Sequence, residues 1–347
     1  MGTRPEAIKL APVYLALRAR GAGARIYDTG QHPDLLPSAL AAFAIPDTAV
    51  QRSPQRGVSA PLKMLPDMQR MLRAHAPGGV IVQGDTASAF AGALAGVLSG
   101  LPVHHVEAGL RSGDWLSPFP EEFIRAGIGR LSAQHFAPTP LAGRNLAAEG
   151  IAADRIHIAG NTIVDALRLI LPGRNQRKRT RPSQSAGGKL VVLTVHRRES
   201  EGAGTRAILG AAAELARRRD VHVIYPAHPR TTTDELAALG SGHGIEVVPP
   251  IPYADFVQLL ARADLAITDS GGVQEEAAIL GTPLICCRNV TERPEALAGT
   301  HARLVGTDPE AILAAAEQFL DDGQRPAFSA AFGDGHAADR IAAILTA

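Results

Sequence analysis

Cysteine is almost absent from this sequence: 347 residues hold only Cys286 and Cys287. Neighbouring Cα atoms lie about 3.8 Å apart, shorter than the usual span of a disulfide. The pair therefore reads as two reduced residues in a strand-like run, in keeping with a cytoplasmic protein. No other cysteine and no histidine spacing joins them in a ligand set, so no metal is expected. Long apolar runs are missing too. None approaches the roughly 18 residues that span a bilayer, and no signal-peptide pattern opens the sequence. A membrane partner is not expected. Charge of one sign is also scarce. With 35 basic and 34 acidic residues the net charge is +1, which gives no reason to invoke nucleic acid. No Gly-x-Gly-x-x-Gly occurs, so no nicotinamide cofactor is expected.

What the sequence has is alternation. It is 46% hydrophobic, enough for a sizeable core. Short apolar runs at Ala24–Asp28, Val80–Val82, Val103–Val106, His135–Ala137 and Ile156–Ala159 read as strands. Helical patterns such as Leu62–Ala74 and Thr86–Leu98 separate them. A basic stretch rich in Pro, Ser and Gly then interrupts the pattern and reads as a solvated linker over 172–188. A second series runs through Lys189–Val195, Val221–Tyr225, Ile245–Val248, Leu265–Thr268 and Leu284–Cys287. The expected fold is α/β, with doubly wound, Rossmann-like domains over 1–171 and 189–329 and a cleft between them. The opening is odd. Thr3 can cap a helix, Pro5 fits its first turn, and Glu6 suits its N-terminus. Such a loop normally follows a central strand, yet only Met1 precedes it. The first strand of the first sheet reads as missing, so an upstream apolar stretch or another segment is expected to fill its place.

Chemistry-bearing residues fall where strands end. Asp269-Ser270-Gly271-Gly272 sits on a strand-to-helix turn, where backbone N–H groups and the helix dipole favour an anion. Gln274, Glu275 and Glu276 are expected in the first helical turn, with a carboxylate in reach of a ribose. Alone, this segment also suits an ordinary βα turn. Thr291-Glu292-Arg293-Pro294-Glu295 shifts the balance, because its arginine suits a phosphate fork. Asp85 ends one strand and Glu107 the next, and Glu121 opens a helix. His196 and His228 follow strands of the second series. Each has a bland alternative: Asp85 as an N-cap, Glu121 as a dipole partner, a histidine as a surface hydrogen-bonding group. Several acids from one domain and a basic cluster from the other form a pattern that fits a catalytic site better.

Gly2-Thr3-Arg4-Pro5-Glu6, Gly84-Asp85-Thr86, His105–Arg111, Pro120-Glu121-Glu122, Gly160-Asn161-Thr162, His196-Arg197-Arg198-Glu199, Asp269–Gly272 and Thr291–Glu295 together resemble the non-hydrolysing bacterial UDP-N-acetylglucosamine 2-epimerases. The match runs along nearly the whole chain in order. It implies a GT-B-like pair of domains, a C-terminal helix (about 330–347) returning to the first, a UDP-sugar substrate and a homodimer. It implies that UDP is eliminated across C1–C2 of the sugar and added back with protonation on the other face. By position, Asp85, Glu107 and Glu121 are the acid/base candidates and His196 stabilises the diphosphate. Arg4, Ser270, Gly271, Gly272 and Arg293 hold phosphate, Glu276 the ribose, and Lys9 places a charge near the site. An effector site in such enzymes matches Gln31, Arg197 and His228, with Asp34 for a longer side chain and Lys63 near an expected arginine. Weak or absent substrate activation is expected. Gln83 stands where the family carries histidine, and Ala87-Ser88 where it carries Thr-Thr. A hydrolysing epimerase, an epimerase of a modified UDP-sugar, a GT-B glycosyltransferase and a nucleotide-sugar sensor are the alternatives.

Overall fold

The computed structural model describes residues 1–33, 35–55, 57, 60–114, 119–171, 188–196, 200–227, 231–239, 244–297, 302–324 and 329–347. The chain divides into two units, Met1–Ile170 with Phe332–Ala347, and Leu171–Ala331. Strands of the first unit are β1 (Ile26–Asp28), β2 (Val50–Arg52), β3 (Val80–Gln83), β4 (Val103–Val106), β5 (Gln134–Ala137) and β6 (Ile156–Ile158). Between and around them run α1 (Arg4–Ala19), α2 (Leu35–Ala41), α3 (Pro61–His75), α4 (Ala87–Leu98), α5 (Glu121–Leu131), α6 (Pro140–Ala148) and α7 (Thr162–Ile170). Every strand pairing is parallel.

The helix start anticipated at Thr3 is present as a capping box. The Thr3 hydroxyl accepts the Glu6 N–H, and Glu6 Oε2 accepts the Thr3 N–H at 2.9 Å. These bonds satisfy two donors that a helix N-terminus leaves over. Glu6 Oε2 also accepts the Ser88 hydroxyl at 2.7 Å, which fastens the loop to α4.

The sheet of this unit comes in two pieces, β1–β2 and β3-β4-β5-β6. Among the described residues no strand joins the edges of β1 and β3. A cavity of about 550 Å³ lies there, lined by both strands and by α1, α3 and α4.

The second unit holds β7 (Lys189–Thr194), β8 (Val221–Pro226), β9 (Ile245–Val248), β10 (Leu265–Thr268), β11 (Leu284–Cys286) and β12 (Ala302–Leu304). Its helices are α8 (Ala203–Arg218), α9 (Thr233–Ala237), α10 (Tyr253–Arg262), α11 (Gly271–Leu280) and α12 (Pro309–Asp322). The parallel strands lie in the order β12-β11-β10-β7-β8-β9. The winding therefore reverses between β7 and β10, the place where open α/β sheets bind ligands. Cys286 and Cys287 are buried and unlinked, and burial pushes the Cys287 thiol well up.

The last helix, α13 (Ala337–Leu345), belongs to the first unit. Asp165 of α7 caps it, accepting the Ala338 N–H at 2.9 Å and the Ala337 N–H at 3.3 Å. Ile341 and Ala342 then pack with Leu10, Val13 and Leu17 of α1 and with Val106 and Phe136 of the sheet. The basic run Arg174–Arg179 lies outside the described residues.

Candidate active site

In the first unit the candidate acids stand at the ends of neighbouring strands. Asp85 follows β3 across Gly84, whose φ of 70° suits glycine. The N-cap of α4 is Thr86, which accepts the Ala89 N–H at 2.9 Å, so Asp85 is not the cap. Glu107 follows β4 with φ 63°. Holding a non-glycine residue there costs about 1–2 kcal/mol, and such strain persists where surrounding contacts over-determine it. Those contacts are visible. Lys9 Nζ pairs with one Glu107 oxygen, Gln83 Nε2 donates to the other, and Arg125 Nη1 donates to the Glu107 carbonyl at 3.3 Å. Lys9 and Glu107 are both buried.

Arg125 joins the two acids. Its Nη2 pairs with the Asp85 carboxylate while its Nη1 reaches Glu107. The guanidinium is only 2% exposed, whereas Asp85 is 23% exposed. Asp85 is thus held from behind and open in front. Glu121 is the first residue of α5, one turn before Arg125 on the same helix. The adjacent Glu122 is buried and accepts the Ser112 N–H at 3.2 Å, which makes it a loop anchor. His105 Nε2 bonds the Gly84 carbonyl at 2.8 Å, and because a carbonyl only accepts, that nitrogen carries the proton. Full burial pushes the His105 pKa down to about 3, so the ring is neutral and braces the Asp85 turn. Arg4 opens α1, half-buried. A cation at a helix N-terminus opposes the dipole and is better explained by an anion partner.

In the second unit the candidates gather where the winding reverses. His196 follows β7 and Ser270-Gly271-Gly272 follows β10, and the ladder sets Thr194 opposite Thr268. Their hydroxyls lie 2.6 Å apart. Asp269, fully buried, accepts the His196 backbone N–H on both carboxylate oxygens at 3.1 Å, with the ring Nδ1 at 3.9 Å. Ser270 is the N-cap of α11, and Gly271 and Gly272 form its first turn. A Cβ built on Gly272 meets nothing within 4 Å. No neighbour requires glycine there, although glycine costs a helix about 0.5–1 kcal/mol relative to alanine.

The structure corrects one placement. Because α11 begins at Gly271, no acid lies in its first turn, and Glu275 and Glu276 belong to the second. Glu276 Oε1 accepts the Tyr253 hydroxyl at 2.8 Å. Arg293 is 7% exposed, donates from Nε to Glu275 at 2.6 Å and pairs through Nη1 with Glu292. The expected phosphate fork is thus already fastened to two carboxylates, and Thr291 donates to Gln274 at 2.8 Å on the same helix. Of the effector candidates, Gln31 accepts the Ser88 N–H at 3.1 Å and Lys63 is exposed on α3. Asp34, Arg197 and His228 lie outside the described residues.

Sequence reasoning named neither Arg125 nor Asp269 as site residues. Arg125 had a signal, since it interrupts the apolar face that Ile124 and Ile128 form on α5. Asp269 was masked by the glycines beside it.

The family model for UDP-N-acetylglucosamine 2-epimerases matches residues 16–346. The chain belongs to the UDP-N-acetylglucosamine 2-epimerase family. It is therefore an isomerase by family. The Escherichia coli UDP-N-acetylglucosamine 2-epimerase is 38% identical over 358 residues, covering 98% of this chain and 95% of its own. A Neisseria meningitidis UDP-GlcNAc 2-epimerase structure, bound to UDP-GlcNAc, superposes with a TM-score of 0.89 at 32% identity, over 99% of this chain and 98% of that one. A Methanocaldococcus jannaschii UDP-GlcNAc 2-epimerase, in complex with UDP-GlcNAc and UDP, gives 0.83 at 34% identity over the same shares. The two-unit α/β architecture is accordingly GT-B-like. No helix among the described residues is long and apolar enough to cross a membrane.

Proposed function

We propose that the protein interconverts UDP-N-acetylglucosamine and UDP-N-acetylmannosamine without releasing free sugar, acting as a homodimer. The C2 proton of the sugar is not adjacent to a carbonyl and is not acidic. Elimination avoids a bare carbanion: the C2–H and C1–O bonds break, UDP departs, and 2-acetamidoglucal remains. Re-addition reverses the step with a proton delivered to the opposite face of C2. The reaction needs acid/base groups near C2 and fixed positive charge or N–H dipoles at the leaving diphosphate.

The observation that carries this reading is the joint held by Arg125. At adjacent strand ends the Asp85 carboxylate and the Glu107 backbone carbonyl share one buried guanidinium, and the Glu107 carboxylate is gripped by Lys9 and Gln83 on a residue in a strained backbone conformation. An ordinary pair of βα turns needs none of this. Asp85, Glu107 and Glu121 serve as the acid/base set. Gly271 and Gly272 present N–H groups to the diphosphate beside the Ser270 hydroxyl, the Ser270 N–H being donated to Thr268 Oγ1 at 3.0 Å; Arg4 adds positive charge and His196 stabilises the diphosphate. Glu276 takes the ribose. Arg293 fixes Glu275 and the following loop, and reaches phosphate once a ligand competes for it.

Incubation with UDP-N-acetylglucosamine in D₂O, followed by NMR, tests the proposal. Both epimers should accumulate with deuterium at C2 and with UDP conserved in the nucleotide sugar. Product that keeps its original C2 proton would sink the exchange mechanism. Stoichiometric free N-acetylmannosamine would assign the chain to the hydrolysing class.

A further inference from the structure

Two neighbouring carboxylates of α11 are held in different ways. Glu275 accepts from Arg293 Nε at 2.6 Å, which ties it to the loop after β11. Glu276 points about 100° round the helix from it, and its Oε1 accepts the Tyr253 hydroxyl of α10 at 2.8 Å. Tyr253 is 2% exposed and Glu276 5%. The place of the tyrosine is itself fixed by packing. Tyr253 opens α10, with Phe256 and Leu260 following on the same face. Those two pack with Val273 and Ala277 of α11 in one apolar cluster. The hydroxyl is thus carried to Glu276 by a helix that has little room to shift.

Glu276 stands four residues after Gly272, one turn along the same face of α11. Groups so spaced lie about 5–6 Å apart. A nucleotide whose diphosphate meets the Gly272 N–H therefore brings its next group, the ribose, beside Glu276. Gly272 leaves that path open, since a Cβ there meets nothing within 4 Å. What a glutamate lacks on its own is a fixed carboxylate plane. The torsion that turns the plane is broad and roughly two-fold, so rotamer preference does not decide which lone pairs face the ligand. The Tyr253 bond decides it. An ionised carboxylate offers about four acceptor directions, and taking one of them at Oε1 orients the others. A cis-diol presents two O–H donors side by side, and only an oriented carboxylate meets both.

We infer that Tyr253 is a positioning residue: it sets the Glu276 carboxylate to accept both hydroxyls of a ribose, and so makes the site select ribonucleoside diphosphates over their 2′-deoxy counterparts. The inference rests on the ribose reading of Glu276 and adds the residue that gives that reading its selectivity. Tyr253 acts through Glu276 and leaves the reacting atoms of the sugar untouched.

Calorimetric titration with UDP and with 2′-deoxy-UDP tests it on the parent chain, Tyr253→Phe and Glu276→Gln. The parent should prefer UDP by about tenfold or more, since a site built to bond a hydroxyl rejects the analogue that lacks it. Tyr253→Phe should reduce that preference about three- to tenfold, through weaker binding of UDP, with affinity for 2′-deoxy-UDP nearly unchanged. In turnover, KM for the UDP-sugar should rise by a similar factor while kcat stays within about twofold. The substitution keeps the aromatic ring and its packing, and the 2′-deoxy-UDP affinity of the same sample reports whether the site is intact. A tyrosine that only joins α10 to α11 would lower both affinities alike, or the melting midpoint alone, and leave the preference at the parent value; that result would overturn the inference. Glu276→Gln should abolish most of the preference. A parent without preference, or a preference kept in Glu276→Gln, would remove the ribose reading and the inference together. A preference lost in Glu276→Gln but kept in Tyr253→Phe would overturn the inference alone.

Discussion

Gly272→Ala separates a packing glycine from a ligand-binding one. The residue is second in α11, and a Cβ there meets no atom within 4 Å. The substitution therefore adds no clash, and alanine gains about 0.5–1 kcal/mol over glycine in a helix. For a unit of this size the melting midpoint should rise by about 1–4 °C. Binding should move the other way. The new methyl occupies the space through which a diphosphate reaches the N–H groups of the first turn. Losing one hydrogen bond to a charged group costs about 1.5–3 kcal/mol, or roughly 10–150-fold in affinity. Calorimetric titration with UDP and scanning calorimetry on the same sample give both numbers. A variant more stable than the parent and clearly weaker for UDP is the expected result. Unchanged UDP affinity would refute the placement of the diphosphate. A loss of stability above about 1 kcal/mol would show instead that packing requires the glycine.

Three further outcomes follow from the first unit. Asp85→Asn, Glu107→Gln and Glu121→Gln should each lower kcat by about 10²–10⁴ while UDP affinity stays within a few-fold; normal turnover in all three would undo the acid/base assignment. Gly109→Ala should destabilise by about 2–5 kcal/mol in urea unfolding, because φ is +85° and the new Cβ would lie 2.2 Å from the Ala142 carbonyl oxygen. His105 should make the fold acid-sensitive: its native pKa of about 3 lies below the ordinary value of 6.5, so between those values the unfolded chain binds a proton that the native ring refuses. Stability then falls by about 1.4 kcal/mol per pH unit as pH drops through that window. Urea unfolding of His105→Gln should show a pH slope shallower by about one proton, and an identical slope would contradict the buried neutral ring.

The parts of the fold that could be read in advance are those where burial alone decides. Val103–Val106 and Leu265–Thr268 are strands at the boundaries their composition suggests, and β10 is buried at every position. A strand covered on both faces must be apolar throughout, so it announces itself. The strands that escaped notice, Val50–Arg52 and Ala302–Leu304, are three-residue edges whose middle residue, Gln51 or Arg303, is exposed. Nothing in three such letters distinguishes an edge strand from a loop.

The site divides along a similar line. Asp85 and Glu107 stand out because a carboxylate at the end of an apolar run is conspicuous. What each side chain does depends on partners far away in sequence: Lys9 reaches Glu107 across 98 positions, and Asp269 holds the His196 backbone across 73. No local pattern encodes such pairs. Arg125 marks the boundary between the two cases. Its place on an apolar helix face is a local anomaly that asks for an anion partner, and that partner is Asp85. Removing one partner of such a pair leaves an uncompensated charge, at a typical cost of about 3–5 kcal/mol. The fold and the acids therefore constrain each other: Arg125 needs Asp85 for stability, and Asp85 needs Arg125 to hold its carboxylate at the strand end. A residue with both debts is hard to replace by drift. That is why a physical account of the fold, carried down to its buried charges, leads to the acids proposed for the chemistry.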